Sequence, residues 1–196
     1  MPRTRRLWVP GGYYHVSMRG NNKQVIFHNQ FDMDAFLRIV GHAYEKYNFQ
    51  IYSYCVMNNH FHMLIRSDHI HLSQIMMNIN KRYSDYYRKK YEFVGQIYEK
   101  RYYSDRVKGP RAFAAISSYI HRNPIDTKIP LVNTMEDYYG SSFQYYKLPH
   151  LLKPKFLNTQ FVTEILPKNF ERSLNGYCEY CEKIEVPGTH TIQKQF

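Results

Sequence analysis

The sequence predicts an α+β fold, a β-α-β-β-α-β run followed by a further helix and a small helical segment. Three observations carry this. Stretches near 13–19, 50–57, 60–66 and 101–107 have strand composition. Apolar residues recur at helical spacing over 32–47 and again over 71–90. Gly, Asn and Pro punctuate the boundaries between these stretches.

Taken in order, Tyr-Tyr-His-Val-Ser-Met-Arg (13–19) opens as a strand after Gly11-Gly12, and Gly20-Asn21-Asn22 is a turn. Phe36, Val40, Ala43 and Tyr47 then share one helical face over 32–47. Residues 50–57 are β-rich. Asn58-Asn59 signals a turn, because Asn tolerates left-handed backbone angles. His60 to Arg66 is the returning strand. Leu72, Ile75, Met76, Ile79, Tyr83 and Tyr87 form one stripe over 71–90. Gly95 to Tyr98 is a turn with a short extended piece, and 101–107 is the fourth strand. Pro110 suits the first turn of a helix. Phe113, Ile116 and Ile120 give that helix a face, and Pro124 ends it by pushing the preceding residue out of helical geometry. The order is the split βαβ, ferredoxin-like arrangement: an antiparallel sheet with two helices on one face. Residues 1–146 form the main domain on this reading. Residues 147–196 are interrupted by Pro149, Pro154 and Pro167, and read as a C-terminal appendage with one or two short helices near 157–182.

Composition narrows the partners. Lys and Arg outnumber Asp and Glu by 27 to 16, a formal charge of +11, which favours a polyanion such as nucleic acid. Twenty Tyr and 12 Phe supply rings able to stack on unpaired bases, although most such rings are core packing. Three cysteines, Cys55, Cys178 and Cys181, argue against a disulfide framework and fit a reducing compartment. No apolar run approaches a membrane span, and the N-terminus lacks the apolar core of a signal peptide. A soluble, cytoplasmic protein with no membrane partner is expected. Lys81, Arg82, Arg88, Lys89 and Lys90 crowd the second half of the 71–90 helix. They read equally as a phosphate track or as a solvated face with favourable charge near a helix C-terminus.

His60-Phe61-His62 carries the most chemistry. On a strand, His60 and His62 face the same way while Phe61, Met63 and Ile65 face the other. One face anchors the strand in a core, and the other presents two imidazoles able to share one metal ion. Alone, the pair reads as readily as surface residues on a half-exposed sheet. Imidazoles suit zinc and other transition metals. Magnesium or manganese would need phosphate and amide oxygens to complete the shell. Further on, Tyr119 and Asn123 are four apart on a helix and share a face. Tyr119 would offer a phenolic oxygen to phosphorus, and Asn123 an amide oxygen to a metal. Tyr119 is also one of 20 tyrosines, with ordinary helix packing as its plain alternative. Cys178-x-x-Cys181, with His190, is a weak zinc candidate, since structural zinc usually takes four ligands.

Residues 13–146 resemble the single-tyrosine HUH transposases of the IS200 type, most of all the REP-associated tyrosine transposases. The resemblance lies in Tyr14-His15-Val16-Ser17-Met18-Arg19-Gly20-Asn21-Asn22, in Met57-Asn58-Asn59-His60-Phe61-His62-Met63-Leu64-Ile65, in Gly95-Gln96-Ile97-Tyr98-Glu99-Lys100-Arg101-Tyr102, and in Tyr119-Ile120-His121-Arg122-Asn123-Pro124. The chain departs from the family pattern at Asn58, at Ile125-Asp126-Thr127-Lys128 and at Gly140-Ser141-Ser142-Phe143. The resemblance implies an HUH nuclease fold with Tyr119 as nucleophile. It implies His60 and His62 as ligands of a divalent Mg2+ or Mn2+ ion, with Asn123 as the third. It implies single-stranded DNA beside a hairpin, REP-like or at an element end, as substrate, and a 5′-phosphotyrosine intermediate. Arg19, Lys23, Lys81, Arg82, Arg88 and Lys89 are then expected to meet DNA phosphates. A homodimer is compatible with it. The rival expectation is a non-catalytic or domesticated DNA- or RNA-binding protein on the same fold.

Overall fold

Strands β1 (Tyr13–Arg19), β2 (Gln50–Val56), β3 (His60–Arg66) and β4 (Tyr103–Val107) form one sheet, in a computed structural model that describes residues 8–184. The order is β2-β3-β1-β4 and every pairing is antiparallel. This is the ferredoxin-like order expected from the sequence. β4 starts at Tyr103 rather than 101, because Tyr98 instead bridges to Gly20 and the chain between them is irregular.

Helices α1 (Gln30–Tyr47) and α2 (Leu72–Tyr91) cover one face. α1 starts two residues before the apolar period does, because the Asn29 side chain accepts the Asp32 N–H and caps the helix. Val16, Met18, Phe61, Met63 and Ile65 point into this core against Phe36, Val40, Ile75, Ile79 and Tyr83. Burying each large side chain contributes about 1.5–3 kcal/mol. Asp32 is fully buried and ties the two helices together. It accepts from Lys90 Nζ at 2.6 Å, Tyr91 OH at 2.6 Å, Tyr86 OH at 2.9 Å and the His28 N–H at 2.8 Å. Lys90, part of the basic cluster, is therefore committed to structure.

The other face carries α3 (Pro110–Arg122), then α4 (Gln144–Lys147), α5 (Phe161–Glu164) and α6 (Leu174–Lys183). A bulge between Ile51 and Ser53 turns Tyr52 into this second core while Ile51 and Tyr54 stay in the first. The helices after α3 pack on it through buried polar groups. Tyr177 OH meets Ser117 Oγ at 2.6 Å and His121 Nδ1 at 2.8 Å. His121 Nε2 meets Ser142 Oγ at 2.7 Å, and that oxygen accepts the Tyr54 N–H of β2 at 2.9 Å. Arg122 donates to the Cys181 carbonyl at 2.8 Å. Cys178 and Cys181 are buried free thiols in this packing, each pushed up to about 12 by burial. His190 lies outside the described residues. No helix among the described residues is long and apolar enough to cross a membrane.

Candidate active site

The sheet face under α3 gathers the polar residues. β1 and β3 pair so that Ser17 lies opposite His62 and Arg19 opposite His60. α3 crosses this face and lowers Tyr119 onto it. The Tyr119 ring sits edge-on to His62 at 5.5 Å and to His15 at 5.9 Å. A cavity of about 340 Å³ is walled by Arg19, Lys23, His60, His62, Tyr119 and Asn123. The two histidines of β3, Tyr119 of α3 and Asn123 at that helix's C-terminal cap, all singled out from sequence, thus share one space with Arg19 and Lys23.

Each imidazole is oriented by a neighbour. His60 Nδ1 donates to Asn59 Oδ1 at 2.7 Å, which leaves its Nε2 as the lone-pair nitrogen. Asn59 is held in turn, donating through Nδ2 to the Lys23 carbonyl at 3.1 Å. Its turn is set by hydrogen bonds and not by left-handed angles. The Asn58 carbonyl accepts from Ile26 and Phe27, and the Asn59 carbonyl from Gly20. The left-handed residues lie across from it, at Asn22 and Lys23, where φ is 48° and 60°. That strain sits at the cavity rim.

His62 stacks on buried His15, with His15 Nε2 and His62 Nδ1 2.9 Å apart. When His62 Nδ1 donates, His15 Nε2 accepts and His62 Nε2 keeps its lone pair. Burial pushes His15 down to about 4 and His60 down to about 4, the latter helped by the Arg19 charge. Burial also lowers His62 well below the ordinary range, with His60, His15 and Arg19 adding to it. The imidazoles are therefore neutral at pH 7, the state a metal ligand needs.

Asn123 closes the site. Its Nδ2 donates to the Tyr119 carbonyl at 2.8 Å and approaches that of Ile120 at 3.5 Å. The amide oxygen remains as an acceptor, and the side chain's hydrogen bonding favours a proton on His60. A cation in place of that proton finds a nitrogen and an oxygen ready. Among the described residues no three of His, Cys, Asp and Glu could hold a metal together. Two neutral imidazoles with one amide oxygen fit a divalent ion that takes further oxygen ligands from outside the chain. Burial raises Tyr119 to about 12, opposed by its hydrogen bond with Asn123 and by the Arg19 charge. The Arg19 Nε is buried with no hydrogen-bond partner among the described residues.

The remaining candidates are elsewhere. Lys81, Arg82, Arg88 and Lys89 are exposed on α2, in the layer on the far side of the sheet. Arg88 is partly engaged, donating to the Gly95 carbonyl at 3.1 Å and lying 3.8 Å from Asp85. Two orienting residues escaped the sequence reading, Asn59 and His15. Their signals were adjacency to His60 and the polar side of β1, where His15, Ser17 and Arg19 alternate with Tyr14, Val16 and Met18.

A family model described as "Transposase IS200 like" matches residues 9–123. Among solved structures, the chain is similar to a REP-associated tyrosine transposase bound to a REP hairpin. The TM-score is 0.64 at 17% identity, over 81% of this chain and 92% of that one. A candidate transposase from Deinococcus radiodurans R1 aligns with a TM-score of 0.43 at 13% identity, over 62% of this chain and 97% of that one. No curated protein matches.

Proposed function

We propose that this chain, which belongs to the IS200-like transposase family, nicks and rejoins single-stranded DNA with Tyr119 as nucleophile. The observation that carries this reading is the convergence of Tyr119, His60, His62 and Asn123 on one cavity. The Tyr119 oxygen attacks the scissile phosphorus, and the bond from phosphorus to the 3′ oxygen breaks. The phenol proton passes to water and the departing 3′ oxygen takes one from water, so no net proton is gained or lost. The products are a 5′-phosphotyrosine link and a free 3′-hydroxyl. That link conserves the phosphodiester energy, so a 3′-hydroxyl can attack it and restore the strand without ATP.

A divalent ion, Mg2+ or Mn2+, held by His60, His62 and Asn123 would supply electrophilic pull on a nonbridging phosphate oxygen. The protein's own residues do the rest. At pH 7 Tyr119 is a phenol, since burial raises it to about 12. The Arg19 charge favours its ionised form and would meet the phosphate it attacks. Lys23 lines the same cavity and adds positive charge. Hairpin-bearing DNA is the proposed partner, because the relative that shares this fold was solved with a REP hairpin.

The test is a denaturing gel of the protein with a labelled hairpin oligonucleotide and Mn2+. Wild type forms a covalent adduct that EDTA prevents. Tyr119→Phe forms none and binds the DNA within about twofold of wild type. An adduct with the Phe variant overturns the nucleophile. Binding without any wild-type adduct makes this a DNA-binding protein.

A further inference from the structure

The active-site cavity does not end at Arg19. A narrow second cavity shares Arg19 with it and continues past Lys100, Arg101 and Tyr103. A third cavity, of about 840 Å³, shares those three residues and runs past Tyr98 to Arg88 at the C-terminal end of α2. The three follow one another through shared wall residues, with a constriction of about 20 Å³ between the larger two, from the Tyr119 site past the β1–β4 end of the sheet toward the opposite layer.

From this continuity we propose that the three act as one groove and bind the single-stranded DNA segment adjoining the scissile phosphate. The inference rests on the DNA reading above and adds the strand's path. Its walls have the two features single strands need. Arg19, Lys100, Arg101 and Arg88 provide cations along these walls. Glu99 is the one carboxylate lining the two outer cavities, while Asp126 at the active-site cavity is paired with Arg122 and Asp85 lies 3.8 Å from Arg88. Lys100 and Arg101 are exposed and take no part in the ion pairs of the described residues. Tyr98 and Tyr103 are half-buried, so each offers part of a ring to the groove. The Tyr98 hydroxyl is buried with no hydrogen-bond partner among the described residues. Cations that follow a backbone, with rings for bases, are the sequence-tolerant way to hold unpaired DNA. The cavity's volume falls in the roughly 300–1,000 Å³ range of pockets that enclose small ligands, which suits a short run of nucleotides and not a duplex. Of the basic residues on α2, this path reaches Arg88 alone.

The test is fluorescence anisotropy of a twelve-nucleotide oligothymidylate with the full chain in EDTA. Lys100→Glu/Arg101→Glu is compared with Arg38→Glu/Lys46→Glu, an equal charge change at exposed positions on α1. The groove variant is expected to weaken binding on the order of tenfold or more and to flatten the salt dependence. The α1 variant should stay within about twofold. Equal losses in both, or none in the groove variant, overturn the proposal. Photo-crosslinking of 4-thiothymidine to wild type needs no variant. Adducts within 96–104, or at the groove positions 18, 19, 84 and 88, support the groove, and adducts confined to other segments overturn it. None of these measurements needs metal or Tyr119 chemistry. A failed groove therefore leaves the phosphotyrosine reading standing, and failure of that reading shows separately as a missing adduct.

Discussion

His62 has two ring nitrogens, and His15 occupies one of them at 2.9 Å. A neighbour that fixes the tautomer and plane of a metal-binding imidazole typically accounts for about 10–100-fold in metal affinity. His15→Phe keeps a stacked ring and removes the acceptor. Calorimetric titration with Mn2+ should show affinity lower by about that factor, partly restored in His15→Gln. Unchanged affinity in the Phe variant would remove His15 from the site. The residue scale also shows where sequence reading stops. His60 and His62 were legible because alternation on a strand is a local rule. Bringing Tyr119 to them needed either the fold or the family resemblance. His15 lies 47 residues before its partner, and only the β1–β3 register puts it there.

Among the elements, α3 has the most to position, since it carries Tyr119 and is capped at its C-terminus by Asn123. Its limits were readable from Pro110 and Pro124, but not for the reason expected at the second: Asn123 keeps helical angles, φ −46° and ψ −43°, and Pro124 stops the helix because it has no N–H to donate. What clamps its outer side was not readable. α4 and α5 are four residues each, too short to show a helical period. The clamp comes instead from single side chains on later segments, and Tyr177 is its centre. Tyr177→Phe leaves two buried partners, Ser117 and His121, short of a hydrogen bond. Each such loss costs about 1–3 kcal/mol, so urea unfolding should show a stability loss on the order of 3 kcal/mol. A loss under about 0.5 kcal/mol, the level of an ordinary surface substitution, would show that α6 does not hold α3 this way. The Cys178 and Cys181 pair, legible as a motif, packs beside the same helix as buried thiols.

Across the whole molecule, the sheet divides two cores, and sequence alternation foretold only the first. The apolar stripes of α1 and α2 are long and regular, so their layer was legible. The second layer is assembled from short helices and buried polar groups, which leave no periodic trace. That polar interior has a consequence for acid stability. His15, His60 and His62 of the site and His121 of the clamp are all kept neutral by burial, with folded values of about 4, about 4, well below normal, and about 3. An unfolded histidine titrates near 6.5. As pH falls below that point the unfolded chain binds protons that the folded chain refuses. Stability is therefore full above about 6.5 and drains as pH falls toward about 4, by at most about 1.4 kcal/mol per pH unit for each histidine. Asp32 does not share this window. Burial opposes its ionisation, but Lys90 and Tyr91 hold its carboxyl below the ordinary value, so its contribution is lost only at lower pH. Urea midpoints at pH 7.5, 6.5 and 5.5 should be level over the first interval, apart from the onset near 6.5, and fall steeply over the second. His121→Gln should flatten the fall by about one histidine's share. A midpoint as high at pH 5.5 as at 7.5 would mean that these imidazoles already carry protons in the fold, and the neutral, metal-ready state argued for His60 and His62 would fall with it.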